Sequence, residues 1–154
     1  MSNILLIKIG EKTYPPYGLL YVASALLRHK NNKVYIIHEE KKEKVLKNIS
    51  IIKNADIVGF SVITSPYLKE IIFLSKYIKN KYNKKIIWGG VHPTMVPELV
   101  LKEKYIDFVI LGEGEERINY FLDFILYGKK NKNFLKMDGI GYKDNDKLII
   151  YPHI

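Results

Sequence analysis

The stretch Ile86-Ile87-Trp88-Gly89-Gly90-Val91-His92-Pro93-Thr94 joins a short apolar run to two glycines, a histidine and a proline. The run follows the polar segment 83–85 and is rich in β-forming residues, a pattern typical of a buried strand. Two glycines at a strand end let the backbone take a positive φ, or let another molecule approach closely. In open parallel α/β sheets, ligands bind at that edge. The stretch therefore predicts a buried strand that ends at a ligand site or at a tight turn into a helix.

Four further apolar runs alternate with segments of helical spacing along the chain. The predicted strands are 3–9, 33–38, 56–62, 86–90 and 108–111, and the predicted helices are 17–29, 43–53, 64–82, 98–104 and 116–127. Ser65 is the expected N-cap of the third helix, with Pro66 in its first turn. Strict alternation predicts an α/β fold with right-handed crossovers, that is, a flavodoxin-like (Rossmann-like), doubly wound five-stranded parallel sheet of order 2-1-3-4-5.

The last part of the chain has a different pattern. Residues 139–151 predict two strands around an Asp-Asn-Asp turn, and we expect them to form a C-terminal β-hairpin appendage. The sequence therefore divides into an α/β domain, 1–130, and a linker hairpin, 131–154.

The composition narrows the class of protein. With 154 residues, 47% of them hydrophobic, the chain predicts a globular domain with a real core. No apolar run approaches the ~18–20 residues that span a bilayer, and the N-terminus is typical of a strand rather than a signal peptide, so we expect a cytoplasmic protein without a membrane partner. The absence of cysteine excludes disulfides and cysteine-ligated clusters within this chain.

The net charge of +9 comes from scattered lysines, because the only arginines are Arg28 and Arg117. Without an arginine-rich recognition helix, we expect no nucleic-acid partner.

Four loops leave the carboxyl ends of the predicted strands and would meet at one rim: 10–18, 61–66, 89–94 and 112–115. Ser61 and Thr64 offer hydroxyls that bind a ligand or cap a helix, and His92 contacts a ligand or is structural. Segment 112–115 is spaced by glycines but does not form a dinucleotide-binding fingerprint. We find no catalytic motif, and the scattered histidines predict no metal cluster.

With these loops placed, the chain resembles the N-terminal cobalamin-binding domain of cobalamin-dependent radical S-adenosylmethionine enzymes. The resemblance rests on four motifs in the family's order and spacing: 15–27 (PPYGLLYVASALL), 56–61 (DIVGFS), 88–94 (WGGVHPT) and 107–115 (DFVILGEGE). The hairpin is similar to the linker that precedes the radical barrel in that family.

The resemblance implies that cobalamin lies over the rim with its nucleotide tail in the sheet edge. The implied cobalamin-binding residues form four groups: Pro16, Tyr17 and Gly18 beneath or beside the corrin; Ser61, Val62, Ile63 and Thr64 along the tail; Gly89, Gly90, Val91 and His92 where the tail passes; and Gly112, Glu113 and Gly114 at its side.

Two departures from related patterns limit what this chain does alone. Loop 10–18 has no histidine, so no histidine ligand to cobalt is expected. The Cys-x-x-x-Cys-x-x-Cys motif is also missing, so S-adenosylmethionine and the 4Fe–4S cluster would belong to a separate or missing radical domain or subunit. Whether the chain is part of an enzyme stays open, with methyl transfer or related radical chemistry as the expected reaction. The alternatives are a degenerate, non-binding interaction module and a flavodoxin-like domain that binds flavin or a nucleotide.

Overall fold

The computed structural model describes residues 1–28, 31–130 and 138–154. The first half of the chain forms β1 (Ser2–Ile9), α1 (Tyr17–Leu27), β2 (Asn32–Glu39), α2 (Lys42–Leu46), α3 (Ile49–Asn54), β3 (Ile57–Ser61) and α4 (Leu68–Tyr82). The second half forms β4 (Lys85–Gly89), α5 (Val91–Met95), α6 (Pro97–Leu101), β5 (Phe108–Ile110), α7 (Gly114–Tyr127), β6 (Ile140–Asp144) and β7 (Lys147–Tyr151). The predicted end of the first helix at residue 29 and the first part of the predicted linker, 131–137, lie outside the described residues.

One sheet organises the described residues, with strand order β2-β1-β3-β4-β5-β6-β7. Its first five strands are parallel, which confirms the predicted doubly wound sheet and its order 2-1-3-4-5. The hairpin β6–β7 continues the same sheet, because β6 pairs with β5 in antiparallel register. The predicted C-terminal hairpin is therefore present and extends the sheet at its β5 edge, while the division into a domain, 1–130, and a linker hairpin, 131–154, stays a prediction.

Helices cover both faces of the sheet because its strands are apolar on both sides. Alternate strand residues pack on α1 and α7, and we call this side the α1/α7 face. The remaining strand residues pack on α3, α4 and α6, and this side is the α4 face. The nearly continuous apolar runs of the central strands follow from this double burial.

Two local predictions were wrong. The predicted helix 43–53 is two short helices, since the Asn48 side chain donates to the carbonyls of Lys44 and Val45, both at 3.3 Å, and competes with a continuous helix. Ser65 does not cap α4, which begins at Leu68; its hydroxyl instead accepts a hydrogen bond from the Tyr67 amide at 3.3 Å.

Candidate functional site

An apolar cavity of about 370 Å³ lies between the α1/α7 face of the sheet and the two helices that cover it. Its floor consists of strand residues that point to this face, namely Ile4, Leu6, Ile57, Gly59, Ile87 and Ile110. Its walls are Leu19, Val22 and Leu26 of α1 and Ile118 and Leu122 of α7. The polar lining residues Ser61, Thr94, Glu113 and Glu115 lie at the carboxyl edge, and we call this ring the mouth. The arrangement suits an apolar group that enters from the rim and carries a polar part outside.

Missing side chains keep the cavity open. Gly59 lies in the middle of β3, where a Cβ would be 3.1 Å from the Leu6 Cδ2. At Gly89 a Cβ would lie 3.8 Å from the Ile110 carbonyl oxygen, which is ordinary contact, so nothing in the protein requires a glycine there. The two glycines thus form a cradle that larger residues would narrow.

Gly90 has a different role from its neighbour. Its φ is 101°, and a Cβ would lie 2.9 Å from the Val62 carbonyl oxygen. That oxygen accepts a hydrogen bond from the His92 amide at 3.1 Å, and the Val62 amide donates to the Gly89 carbonyl at 2.8 Å. Gly90 is therefore required by the packing of the loops after β3 and β4, whether or not a ligand is present.

The structure brings eight of the residues implied by the resemblance to the cavity wall: Gly18, Ser61, Gly89, Gly90, Val91, Gly112, Glu113 and Gly114. The other six do not line it. Pro16 and Tyr17 precede or begin α1, Val62 is buried on the α4 face, and Ile63 is half exposed. Thr64 and His92 bond each other, with 2.8 Å between Oγ1 and Nδ1, and so link two rim loops. The ligand contacts of all fourteen residues stay predictions.

Sequence reasoning missed Gly59 and Thr94. A glycine inside an apolar strand was the available signal for Gly59. Thr94 lies on the short helix α5, which was not predicted. Its hydroxyl donates to the Gly90 carbonyl at 2.7 Å and accepts from the Gly112 amide at 3.0 Å, so it fixes the loops after β4 and β5 to each other.

Arg117 is the third residue that the sequence did not single out for the site. It is 8% exposed and lies in the second turn of α7. The guanidinium donates to the Glu113 carbonyl at 2.8 Å, to the Asp138 carboxylate at 3.2 Å and to the His153 Nδ1 at 2.7 Å. A hydrogen bond from the Ile154 amide, together with Arg117, lowers the pKa of Asp138. Arg117 therefore joins the mouth to both ends of the hairpin.

Within residues 1–28, 31–130 and 138–154, no three histidine, aspartate or glutamate side chains are grouped so as to hold a metal ion. None of the helices described is long and apolar enough to cross a membrane.

A family model described as "B12 binding domain" matches residues 3–121. This chain belongs to the B12-binding domain family. The B12-binding domain is 35% identical over 146 residues to an uncharacterized methyltransferase of Pyrococcus horikoshii, a match that covers 92% of this chain and 30% of the relative. It is 29% identical over 158 residues to a putative methylthiotransferase of Methanocaldococcus jannaschii, covering 98% of this chain and 30% of that one.

Among solved structures, the B12-binding domain is similar to the radical S-adenosylmethionine methyltransferase TsrM from Kitasatospora setae, solved with cobalamin and a 4Fe–4S cluster bound. The TM-score is 0.72 at 16% identity, over 99% of this chain and 29% of that one, and this likeness shows the fold. The chain spans about 30% of the length of the relatives it matches.

The residues present fit cobalamin. The glycine cradle and apolar walls leave room for a flat apolar base. Beside the mouth, Tyr17, Val91 and Met95 are 58%, 60% and 74% exposed, and they offer apolar surface for a large ring.

Proposed function

We propose that this chain binds cobalamin with the nucleotide tail in the cavity and the corrin over the mouth. The observation that carries the proposal is the apolar cavity that opens at the carboxyl edge beside Gly59 and Gly89, in a chain of the B12-binding domain family. In this arrangement the strands and α1 hold the base, and the rim loops orient the ring. Loop 10–18 supplies no histidine to the cobalt.

We further propose that the chain is the cobalamin-binding part of a radical S-adenosylmethionine enzyme that carries out methyl transfer or related radical chemistry. The names of the two relatives and the shared fold with TsrM support this. Bound cobalamin supplies a cobalt that carries a methyl group or assists radical chemistry. The chain's own residues place it and exclude water from its tail. S-adenosylmethionine and the 4Fe–4S cluster would bind to a separate radical domain or subunit, and the cytoplasmic location stays a prediction.

The test is a titration of purified protein with hydroxocobalamin and methylcobalamin. Binding is measured by calorimetry and by the change in the corrin absorption bands. We expect dissociation constants in the micromolar range or below. Gly89→Val should weaken binding at least about 10-fold, because its methyl groups project into the cavity while its Cβ meets no obstacle. Ser24→Leu adds comparable bulk on the exposed side of α1, away from this cavity, and should bind like the wild type.

Thermal unfolding of each variant shows whether the fold is intact. A wild-type protein that binds neither cobalamin form contradicts the proposal, and so does a folded Gly89→Val variant that binds as tightly as the wild type. Flavin mononucleotide serves as a third ligand, and tight flavin binding would favour the flavodoxin-like alternative.

A further inference from the structure

Four residues form a row across the sheet at its carboxyl edge. His38 pairs with Lys8, Lys8 with Ser61, and Ser61 with Gly89, on the parallel strands β2, β1, β3 and β4. Residues paired in this way point to the same face of a sheet. Since Ser61 and Gly89 line the cavity, Lys8 lies on the ligand side, one strand spacing (~4.8 Å) from Ser61 at the mouth.

The Lys8 side chain extends toward the rim and has no counterion. Its Cε lies 4.0 Å from the place that a Cβ on Gly10 would take, just beyond the end of β1. In the described part of the chain, no carboxylate lies within salt-bridge distance of the Lys8 ammonium and no hydrogen bond holds it, whereas Lys12 meets Glu39 at 3.4 Å. A partly buried cation without a partner favours the binding of an anionic ligand.

The neighbour of Lys8 does not neutralise it. His38 keeps its Nε2 buried without a partner, and burial followed by the charge of Lys8 lowers its pKa. The opposite side of the mouth carries Glu113 and Glu115. The charge across the mouth is therefore asymmetric, positive beside β1 and negative beside α7.

Cobalamin carries a single phosphodiester, which joins the corrin side chain to the nucleotide. With the base in the cavity and the ring outside, that phosphodiester must pass the mouth. We infer that Lys8 binds the phosphodiester of cobalamin and thereby fixes which way the ligand lies across the mouth. This inference rests on the proposed function and adds a charged contact to it.

The test compares cobalamin with cobinamide, which has the same corrin but lacks the nucleotide and its phosphodiester. Both are used in their dicyano forms so that the two faces of the corrin match. Lys8→Met should weaken cobalamin binding about 10-fold or more and leave cobinamide binding unchanged. The matched control is Lys33→Met. Lys33 is exposed and lies at the start of β2, at the edge of the sheet opposite the mouth, so its loss should change neither affinity.

Salt provides a second readout. Wild-type affinity for cobalamin should fall as sodium chloride rises, and the Lys8→Met variant should lose most of that dependence. A Lys8→Arg variant should keep the charge and bind cobalamin nearly as the wild type does.

The outcomes separate the two proposals. If the wild type binds no cobalamin, the proposed function fails. If it binds and a folded Lys8→Met variant binds equally well, or with the same salt dependence, the function stands and the Lys8 inference is overturned. Equal weakening for cobalamin and cobinamide also overturns it, because Lys8 would then act on the corrin or on the fold.

Discussion

At the scale of residues, the two adjacent glycines at the end of β4 are needed for different reasons. Gly89 has ordinary backbone angles and an open space toward the cavity, so it matters to a ligand. Gly90 has a φ of 101° and faces the Val62 carbonyl oxygen, so it matters to the fold. The sequence pattern Gly-Gly predicts both roles together, and only the three-dimensional contacts assign them.

Gly90→Ala should destabilise the protein, whereas Gly89→Ala should not. An alanine at position 90 adopts a strained conformation and places its Cβ against a carbonyl oxygen, which we expect to cost about 1–3 kcal/mol. Gly89→Ala should stay within about 0.5 kcal/mol of the wild type. Urea unfolding of the two variants checks this, and equal stabilities would contradict the division of roles.

His38 should make stability fall on acidification. Its pKa is lowered from the ordinary value of 6.5 by burial first and then by Lys8, while a backbone contact with Glu11 opposes the shift. The unfolded chain therefore takes up the proton more readily, so this contribution is complete above pH 6.5 and is lost as the pH falls through the folded-state pKa. The free energy of unfolding of His38→Gln should vary less with pH in that window, and an unchanged slope would contradict the assignment.

At the scale of elements, the hairpin is fixed to the domain in two ways. β6 pairs with β5 through the register Phe108 to Tyr142, Val109 to Gly141 and Ile110 to Ile140. At the rim, Arg117 joins the two ends of the hairpin to the Glu113 carbonyl, and the His153 ring packs where Gly112 has no side chain. The loop after β5 thus depends on residues from the end of the described chain.

Arg117→Met should loosen this junction. The variant keeps an apolar stem but leaves the Glu113 carbonyl without its donor, which costs about 1–3 kcal/mol for a buried group. We expect a lower free energy of unfolding, together with faster proteolysis near residue 138. The exposed Arg28→Met is the control. A variant of wild-type stability would show that strand pairing alone holds the hairpin.

Structural features that depend on local sequence could be predicted, whereas features that depend on contacts between distant residues could not. Apolar runs located the five parallel strands, because β1, β3, β4 and β5 are buried on both faces and β2 still carries an apolar run at the edge of the sheet. The alternation of these runs with segments of helical spacing predicted the strand order. Three features were not predicted. The helix break at Asn48 arises because its side chain competes for backbone carbonyls, and the helix α5 follows a single residue with a positive φ, Gly90. The contacts of Arg117 join residues that are far apart in the chain. The rim loops could be located because they follow the ends of local apolar runs. The place of Gly59 in the cavity floor could not, because the cavity is formed by elements that are far apart in the chain.

At the scale of the whole molecule, ligand and fold should be thermodynamically linked. A ligand that binds only the folded state adds about 2.7 kcal/mol when its free concentration is 100 times the dissociation constant. For a chain of 154 residues this corresponds to a rise of roughly 5–10 °C in the unfolding midpoint. Differential scanning fluorimetry with hydroxocobalamin checks it. No shift at saturation would contradict specific binding, and Gly89→Val should show a much smaller shift at the same concentration.

The antiparallel hairpin has a practical consequence for experiments. β6 starts at the mouth and runs away from it, so the β6–β7 turn lies at the opposite edge of the sheet, about 15 Å from the rim. Lys147 is exposed at that edge, and the chain contains no native cysteine. A single Lys147→Cys substitution would give one chemically unique handle for a fluorophore or a sensor surface. The molecule would then be tethered at the edge of the sheet opposite the rim, with the rim facing the solution.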